Sequence, residues 1–266
     1  MSEKDVFATL PTGRRIWAVA SVHGEVGRVR ELHSAIGSRL QGGDILVYLG
    51  NLMGRGSAVF DTVQEILLFR RAFLARPGAD CADVVYLRGS QEEMWHRLLQ
   101  IQFAVNPSEV LKWMFDFGVA ATIEAYGSSA KEGLDAAGRG AKALSEWTST
   151  MRSVMRASDG HNALMSALRR AAFVEDNSLL FVNAGIDVTR PLSEQFDSFW
   201  WGATPFDTIQ SPFCGFSRVV RGFDTRHRGL TTNATTTSIA GGCGFDGPLM
   251  AACFDATGQT VDTVEA

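Results

Sequence analysis

The feature that most constrains the fold is a threefold alternation of short apolar runs, glycine-containing loops and helix-spaced segments. The apolar runs lie at 14–20, 44–50 and 83–89. Apolar residues with helical spacing follow the loops at 29–40, 58–75 and 90–103. This alternation predicts parallel or mixed strands in a layered α/β domain. Such domains carry their chemistry on the loops at the carboxyl ends of the strands.

The remainder of the chain divides into a helical part and a strand-rich part. The composition of residues 106–173 predicts several helices that form a cap or insertion. Within it, the glycine-containing segment 127–141 is the best candidate for a mobile loop. Further strands are predicted at 179–185, 217–223 and 235–242, with antiparallel strands joined by turns at 249–266. We therefore expect one domain spanning 1–266. Its fold class is α/β, with two mixed sheets packed as a sandwich, flanking helices and a helical insertion.

Composition excludes several classes of protein. Hydrophobic residues make up 45% of the 266 positions and charged residues 20%, which is typical of a globular chain and not of a disordered one. A net charge of −4 offers no basic field for nucleic acid. No apolar run reaches the roughly 18 residues of a membrane span, and the first residues lack the apolar core of a signal peptide. We therefore expect a cytoplasmic protein that contacts neither nucleic acid nor membrane.

The cysteines show no pattern typical of a metal or disulfide site. No two of them form a CxxC pair, and none lies near a histidine at the spacing of a zinc site. We expect all of them to be reduced and most of them to be buried. They are Cys81, Cys214, Cys243 and Cys253.

Five sequence frames fall at predicted strand ends. They are ASVHG (20–24), GNLMGRG (50–56), GSQE (89–92), VNAGI (182–186) and RGFDT (221–225). In order and position they resemble the GDxHG, GDxxDRG, GNHE, His-AG-I and GH motifs of the calcineurin-like metallophosphoesterases. The resemblance runs from about residue 13 to the end of the chain. It favours the bacterial serine/threonine phosphatase and diadenosine-tetraphosphatase branch and implies the two-sheet fold of that family.

The resemblance implies a metal-binding or catalytic role for positions in every frame. The chain keeps the histidine of the first motif, His23, and the phosphate-gripping arginine of the second, Arg55. Most other positions differ from the family. Ser21 and Asn51 stand for metal-binding aspartates, Gly54 for a supporting aspartate, Ser90 for an asparagine ligand, Gln91 for the catalytic histidine, and Asn183 and Phe223 for metal-binding histidines.

The chemistry of a two-metal site makes these substitutions decisive. Two divalent cations about 3.5–4 Å apart repel each other by roughly 20 kcal/mol at an effective dielectric constant of 20, and anionic ligands must offset that repulsion. No matched position carries a carboxylate, and Phe223 cannot bind a metal. Gln91 cannot protonate a leaving group. We therefore expect no catalytic residues, no bound metal and no other cofactor.

The retained residues allow more than one interpretation. His23 is either a relic of a metal site or a hydrogen-bonded structural histidine. Arg55 either binds an anion such as phosphate or pairs with a nearby carboxylate. If the geometry of the family holds, Arg88 and Arg221 flank the same cleft and leave a cationic, anion-binding pocket. Otherwise they are solvated surface charges.

A displaced metal site is the alternative to the loss of metal binding. Asp187, Asp224 and His227 lie just after matched frames and could join His23 as ligands of Mn²⁺ or another divalent ion.

A cluster of aromatic residues between the fourth and fifth frames is predicted to pack in the core or under the cap. The alternative is a patch that binds a partner, because exposed aromatic side chains are typical anchors of interfaces. The cluster comprises Phe196, Phe199, Trp200, Trp201 and Phe206.

The sequence therefore predicts a catalytically inactive pseudophosphatase that acts in binding or regulation. Its partner is an unknown protein or a phosphorylated small molecule. One alternative is a divergent, metal-dependent phosphoesterase, which metal content and turnover would reveal. Another is a scaffold with an inert pocket, for which Arg55→Ala would leave ligand binding unchanged.

Overall fold

The computed structural model describes residues 6–266, which form two β-sheets surrounded by helices. The strands of this part are β1 (Phe7–Leu10), β2 (Ile16–Val19), β3 (Ile45–Tyr48), β4 (Val84–Tyr86), β5 (Ala171–Val174), β6 (Leu179–Val182), β7 (Arg218–Arg221), β8 (Gly229–Thr232), β9 (Thr236–Ala240), β10 (Met250–Phe254) and β11 (Thr260–Glu265). The α-helices with both ends in it are α1 (Val26–Gly37), α2 (Val59–Leu74), α3 (Ser90–Leu98), α4 (Pro107–Asp116), α5 (Val119–Ala125), α6 (Ala130–Arg139), α7 (Ala141–Ala157), α8 (His161–Ala167) and α9 (Ser198–Trp201).

The five-stranded sheet has the order β11-β10-β2-β3-β4. Its β2, β3 and β4 are parallel, whereas β10 runs antiparallel to both of its neighbours. Val19 lies opposite Tyr48, and Tyr48 opposite Tyr86, so the carboxyl ends of the parallel strands are level. The predicted alternation of strands and helices, and the antiparallel pair at the end of the chain, are confirmed.

The six-stranded sheet has the order β1-β5-β6-β7-β9-β8. Strands β6, β7 and β9 are parallel, and Val182 of β6 lies opposite Arg221 of β7. The sequence did not predict β1, β5 or β8. β1 and β8 are four-residue strands at the two edges of the sheet. β5 begins with two alanines at the end of an alanine-rich helical stretch, so local propensity favoured a helix there.

The two sheets pack face to face as predicted. The ring of Phe181 on β6 lies 5.8 Å from that of Phe254 on β10, and both belong to one buried cluster that spans the sheets. The other face of the six-stranded sheet is covered by the segment that follows β6. Its buried side chains include Phe199, Trp200 and Phe206. The fold class is therefore an α/β sandwich of two mixed sheets with flanking helices.

The aromatic cluster is only partly in the core. Phe199, Trp200 and Phe206 are buried, but Phe196 is 54% exposed and Trp201 is 40% exposed. Helix α9 has a single turn, so it buries only one face against the sheet. The prediction of packing in the core or under the cap is wrong for Phe196, whereas Trp201 packs against Trp113 and Phe117 of the helical insertion but stays partly exposed.

The helical insertion consists of α4 to α8. The loop predicted at 127–141 is wrong, because most of that segment is helix α6. The Ser129 hydroxyl caps the helix by accepting the Glu132 N–H at 3.2 Å, and Ala136 is buried. Gly133 provides the space into which Trp147 packs. Capping and packing against α7 therefore outweigh the low helix propensity of the glycines.

The cysteines are all free, but the prediction that most are buried is wrong. Cys81 and Cys214 are exposed, because the first precedes an edge strand and the second lies in a turn. Cys243 and Cys253 are buried. No helix within residues 6–266 has the length and apolar character needed to cross a membrane.

Candidate functional site

The segments after the strands of both sheets meet at one end of the sandwich. The Ser21 N–H donates to the Gly222 carbonyl at 3.1 Å, and the Gly222 N–H donates to the Asn183 carbonyl at 3.0 Å. The His23 N–H donates to the Asn51 carbonyl at 2.7 Å. These bonds bring the ends of β2 and β3 together with those of β6 and β7. The structure therefore assembles the matched frames into one place.

Three of the predicted positions form a buried network of neutral side chains. Asn51 Nδ2 donates to Ser21 Oγ at 3.2 Å and to Asn183 Oδ1 at 3.5 Å. Asn183 Nδ2 donates to the Leu49 carbonyl at 2.6 Å and to Ser21 Oγ at 3.4 Å. Asn51 and Asn183 are fully buried, and Ser21 is nearly so. At positions where the resemblance implies metal ligands, the side chains bond directly to one another.

The segment at the start of α3 completes the network. Asn51 Oδ1 accepts hydrogen bonds from Ser90 Oγ at 3.2 Å and from the Gln91 N–H at 3.0 Å. Gln91 Nε2 donates to the Phe117 carbonyl at 2.7 Å, which ties the network to the helical insertion. A side chain at Gly54 would collide with the Gln91 amide. Gln91 is therefore held as a neutral bridge, with no proton to give to a leaving group.

Glu92, which the sequence analysis did not single out, is the carboxylate bonded to the backbone of this network. It is fully buried and accepts the backbone N–H groups of Gly89, Asn51, Leu52 and Met53 at 2.7–3.2 Å. Burial raises the pKa of Glu92, and these hydrogen bonds oppose that rise. Both oxygens are engaged by backbone, so Glu92 shapes the loop. Its place three residues after the N-cap of α3 is a capping-box signal that the sequence contained.

His23 is buried, and its imidazole is held by a backbone hydrogen bond and two aromatic rings. Its Nδ1 lies 2.9 Å from the Cys243 carbonyl and donates to it, which leaves Nε2 without a proton. The rings of Phe223 and Phe245 lie edge-on to the imidazole at 5.6 and 5.4 Å. Burial lowers the pKa of His23 to about 3. The remaining cavity at this point measures about 10 Å³, room for a single water molecule at most.

The backbone at the site is strained at several residues that are not glycine. A positive φ of 50–56° occurs at His23, Asn51, Arg55 and His227. L-residues adopt this left-handed conformation at a cost, and it is usually a feature of functional loops. The loops therefore hold a strained backbone at positions where the resemblance implies functional residues, although Arg55 is the charged side chain among these four.

His23, Asp224 and His227, which were expected in a displaced metal site, line one small cavity, but among the described residues they are not grouped so that they could hold a metal ion. Asp224 forms ion pairs with Arg221 at 2.7 Å and with Arg228 at 3.2 Å. Asp187 binds the Thr189 hydroxyl and N–H in its own turn. His227 lines the small cavity beside His23. Within residues 6–266, no three His, Cys, Asp or Glu side chains are grouped so that they could hold a metal ion.

Arg55 and Arg88 do not line the pocket that Arg221 lines. The Arg55 guanidinium lies 4.0 Å from the centre of the Phe245 ring and makes no ion pair in the described part of the chain. Arg88 pairs with Glu93 at 3.1 Å. Arg221 is buried, and it lines a separate open pocket of about 320 Å³ that neither of the other two reaches.

The donor set does not fit a pair of divalent metal ions. The matched positions supply amides, hydroxyls and one neutral imidazole, and no carboxylate offsets the repulsion between two cations. Direct hydrogen bonds link Asn51 to Ser21, Asn183 and Ser90, whereas the buried Oε1 of Gln91 has no hydrogen-bond partner among residues 6–266. We therefore derive no chemical step through metal ions at this site.

Comparison with known proteins supports the fold alone. No protein-family model matches the chain, and no curated protein matches it. Among solved structures, the chain is similar to a protein assigned as a diadenosine tetraphosphatase, with a TM-score of 0.58, 18% identity and coverage of 98% of each chain. It is also similar to a variant of a cold-active protein tyrosine phosphatase, with a TM-score of 0.52, 13% identity, and coverage of 98% of this chain and 84% of the other. With the two mixed sheets and flanking helices described above, these similarities show that the chain has the calcineurin-like phosphoesterase fold.

Proposed function

We propose that this chain is a phosphoesterase-fold protein that does not hydrolyse phosphate esters and acts by binding. The observation that carries the proposal is the closed network of Ser21, Asn51, Ser90 and Asn183. Its groups are neutral, buried and bonded to one another, so it offers neither the charge nor the space for two cations and an activated water. In this proposal the chain acts in the cytoplasm, where its free thiols stay reduced.

A phosphorylated ligand or partner is the proposed target. Arg55 supports this part, because its guanidinium has no carboxylate partner among residues 6–266 and lies on an aromatic face. Guanidinium groups suit contacts with two oxygens of a phosphate. The neutral network beside Arg55 adds no negative charge that would repel an anion.

The test of the catalytic part measures metal content and turnover in one preparation. The protein is incubated with excess Mn²⁺, desalted and analysed for metal, and p-nitrophenyl phosphate serves as substrate. We expect near-zero metal per chain and hydrolysis no faster than that of Asn51→Ala. One or two tightly bound metal ions per chain, with turnover that Asp224→Ala or His227→Ala abolishes, would refute the proposal. That result would establish a rearranged phosphoesterase site.

The test of anion binding uses inorganic phosphate and phosphoserine as probes in calorimetric titration. We expect binding that Arg55→Ala weakens about tenfold or more, since one charge-assisted contact is worth roughly 1.5–3 kcal/mol. Lys142→Ala, at a position 91% exposed on α7, is the control and leaves binding unchanged. Equal binding by wild type and Arg55→Ala would leave a scaffold with an inert pocket.

A further inference from the structure

Three large aromatic side chains form an exposed patch beside the closed network. Trp113, near the end of α4, and Phe117, just after it, lie with ring centroids 5.0 Å apart, and their centroids lie 5.8 and 5.9 Å from that of Trp201 on α9. We call these three residues the aromatic patch. They are 42%, 38% and 40% exposed. Since an aromatic side chain can bury about 150–250 Å², the patch leaves roughly 200–300 Å² of ring surface in solvent.

The patch is fixed to the site by hydrogen bonds. The Phe117 carbonyl accepts Gln91 Nε2 at 2.7 Å, and the Gly118 carbonyl accepts the Arg55 N–H at 2.9 Å. Gly118 also lies against the Arg55 side chain, where a Cβ would collide with it. The loop that carries Phe117 is therefore held in place by the residues that replace the family's catalytic histidine and retain its arginine. A rigid aromatic surface of this kind costs little entropy on binding.

Cationic side chains lie near two members of the patch. Arg55 lies against Gly118, next to Phe117, and makes no ion pair in the described chain. Trp201 lines the open pocket of about 320 Å³, in which Arg226 has a 67% exposed side chain and pairs with Asp207 at 3.2 Å. Two exposed acids neighbour the patch: Asp116 at the end of α4, and Asp197 just before α9, which pairs with Arg97 at 3.0 Å. The charged residues that line the pocket, which we call the cationic pocket, are Arg221, Arg226, Arg228, Asp207 and Asp224.

We propose that the aromatic patch and the cationic pocket together dock an acidic peptide segment of a partner protein, with an aromatic or aliphatic anchor residue on the rings. The inference rests on the proposed function, because it takes the site to bind without hydrolysing. Charge complementarity favours the acidic partner, because the pocket has three arginines paired with only two aspartates, and Arg55 adds a cation without an ion pair in the described chain. Tryptophan and arginine are also the side chains that most often dominate the energetics of interfaces.

The ring geometry favours a peptide over a flat small molecule. The three ring planes are inclined to one another by 43–86°, so they leave no parallel slot for a planar base. They also lie on an open surface, whereas small-molecule sites enclose most of their ligand. An apolar side chain can seat among inclined rings while carboxylates beside it reach Arg226 or Arg55.

A phage-displayed library of random peptides is selected for binding to the purified protein. A selected peptide is then synthesised with a fluorescent label, and its affinity is measured by fluorescence anisotropy. We expect selected sequences with Asp or Glu around one apolar anchor. Trp201→Ser and Phe117→Ser should each weaken binding about tenfold or more, as truncation of an anchor does. Phe103→Ser, at an 80% exposed phenylalanine outside the patch, is the matched control and should change affinity less than twofold.

Charge is tested by Arg226→Gln, which should weaken binding several-fold and reduce its dependence on salt, with Lys142→Gln as its control. Selection of peptides without acidic residues, or equal affinity for Trp201→Ser and wild type, would overturn the inference. So would Trp201-dependent binding of adenosine monophosphate that displaces the peptide, which would identify a nucleotide site. Metal content and turnover in the same preparation report separately on the proposed function, so either can fail alone.

Discussion

Asn51→Asp is the substitution that best tests whether the closed network excludes metal. It restores the residue that the resemblance implies for a metal-bridging ligand, in a side chain with no solvent exposure. The change removes the donor to Ser21 Oγ and sets a carboxylate oxygen 3.5 Å from Asn183 Oδ1. Ser90 and the Gln91 N–H still bond the other oxygen. The new charge is therefore buried with only neutral partners.

The expected loss of stability is large. A buried charge without a counter-charge costs about 3–5 kcal/mol. For a domain of this size each kcal/mol shifts Tm by about 2–4 °C, so Tm at pH 7 falls by about 6–20 °C. Burial raises the folded-state pKa of the new carboxyl above the unfolded value of about 3.9. The stability that Asn51→Asp loses relative to the wild type is therefore smallest near pH 4. This loss grows with pH, by up to about 1.4 kcal/mol per pH unit, until the folded-state pKa of the new carboxyl is passed.

The assay is thermal unfolding followed by circular dichroism at pH 4, 5, 6 and 7, with and without millimolar Mn²⁺. Asn177→Asp is the matched control, because Asn177 has a similar left-handed backbone, with φ of 60°, and is exposed. It should change Tm by no more than about 2 °C, since exposed substitutions shift stability by about 0.5 kcal/mol or less. Recovery of Asn51→Asp to the wild-type Tm by Mn²⁺ would refute the reasoning, because it would reveal a site already shaped for metal.

Two further predictions concern buried titratable groups. His23 stays neutral in the fold with its pKa lowered to about 3, so the wild type loses stability as pH falls from 6.5 towards 3, by up to about 1.4 kcal/mol per unit. His23→Asn, in which asparagine suits the positive φ, should reduce the slope of unfolding free energy against pH, measured by urea titration. His96→Asn, at an exposed position, is the control and should reduce that slope less. An unchanged slope in His23→Asn would contradict this prediction. With Ellman's reagent, two thiols should react quickly in the native protein and four after unfolding, because burial raises the pKa of Cys243 to about 12 and of Cys253 to about 11. Rapid reaction of all four in the native protein would show that the core around them opens.

The local signals in the sequence were sufficient for the central strands and for the place of the site. Continuous apolar runs mark β2, β3 and β4, and glycine-containing loops follow them, so the carboxyl edge could be located without knowledge of the sheet order. The edge strands β1 and β8 carry no such signal. Each has four residues and pairs with a neighbouring strand on one side only, which is too short a segment to show a clear hydrophobic periodicity.

The contacts that close the site could not be predicted from the frames. The Cys243 carbonyl that fixes His23 lies 220 positions further along the chain, and Phe245 reaches the site from the same distant loop. The partner of Gln91 is a backbone carbonyl in the helical insertion, for which no side-chain signal exists. Likewise, the separation of Arg55 from Arg221 depends on how two sheets meet, which local patterns do not encode.

The left-handed residues of the site store conformational strain, which the rest of the fold must offset. At about 1–2 kcal/mol each, His23, Arg55 and His227 hold about 3–6 kcal/mol of conformational energy, against a net stability of about 5–15 kcal/mol for a typical domain. Packing of the sandwich core must offset this strain even when no ligand is bound. The conformation of the loops is therefore pre-organised before a partner binds.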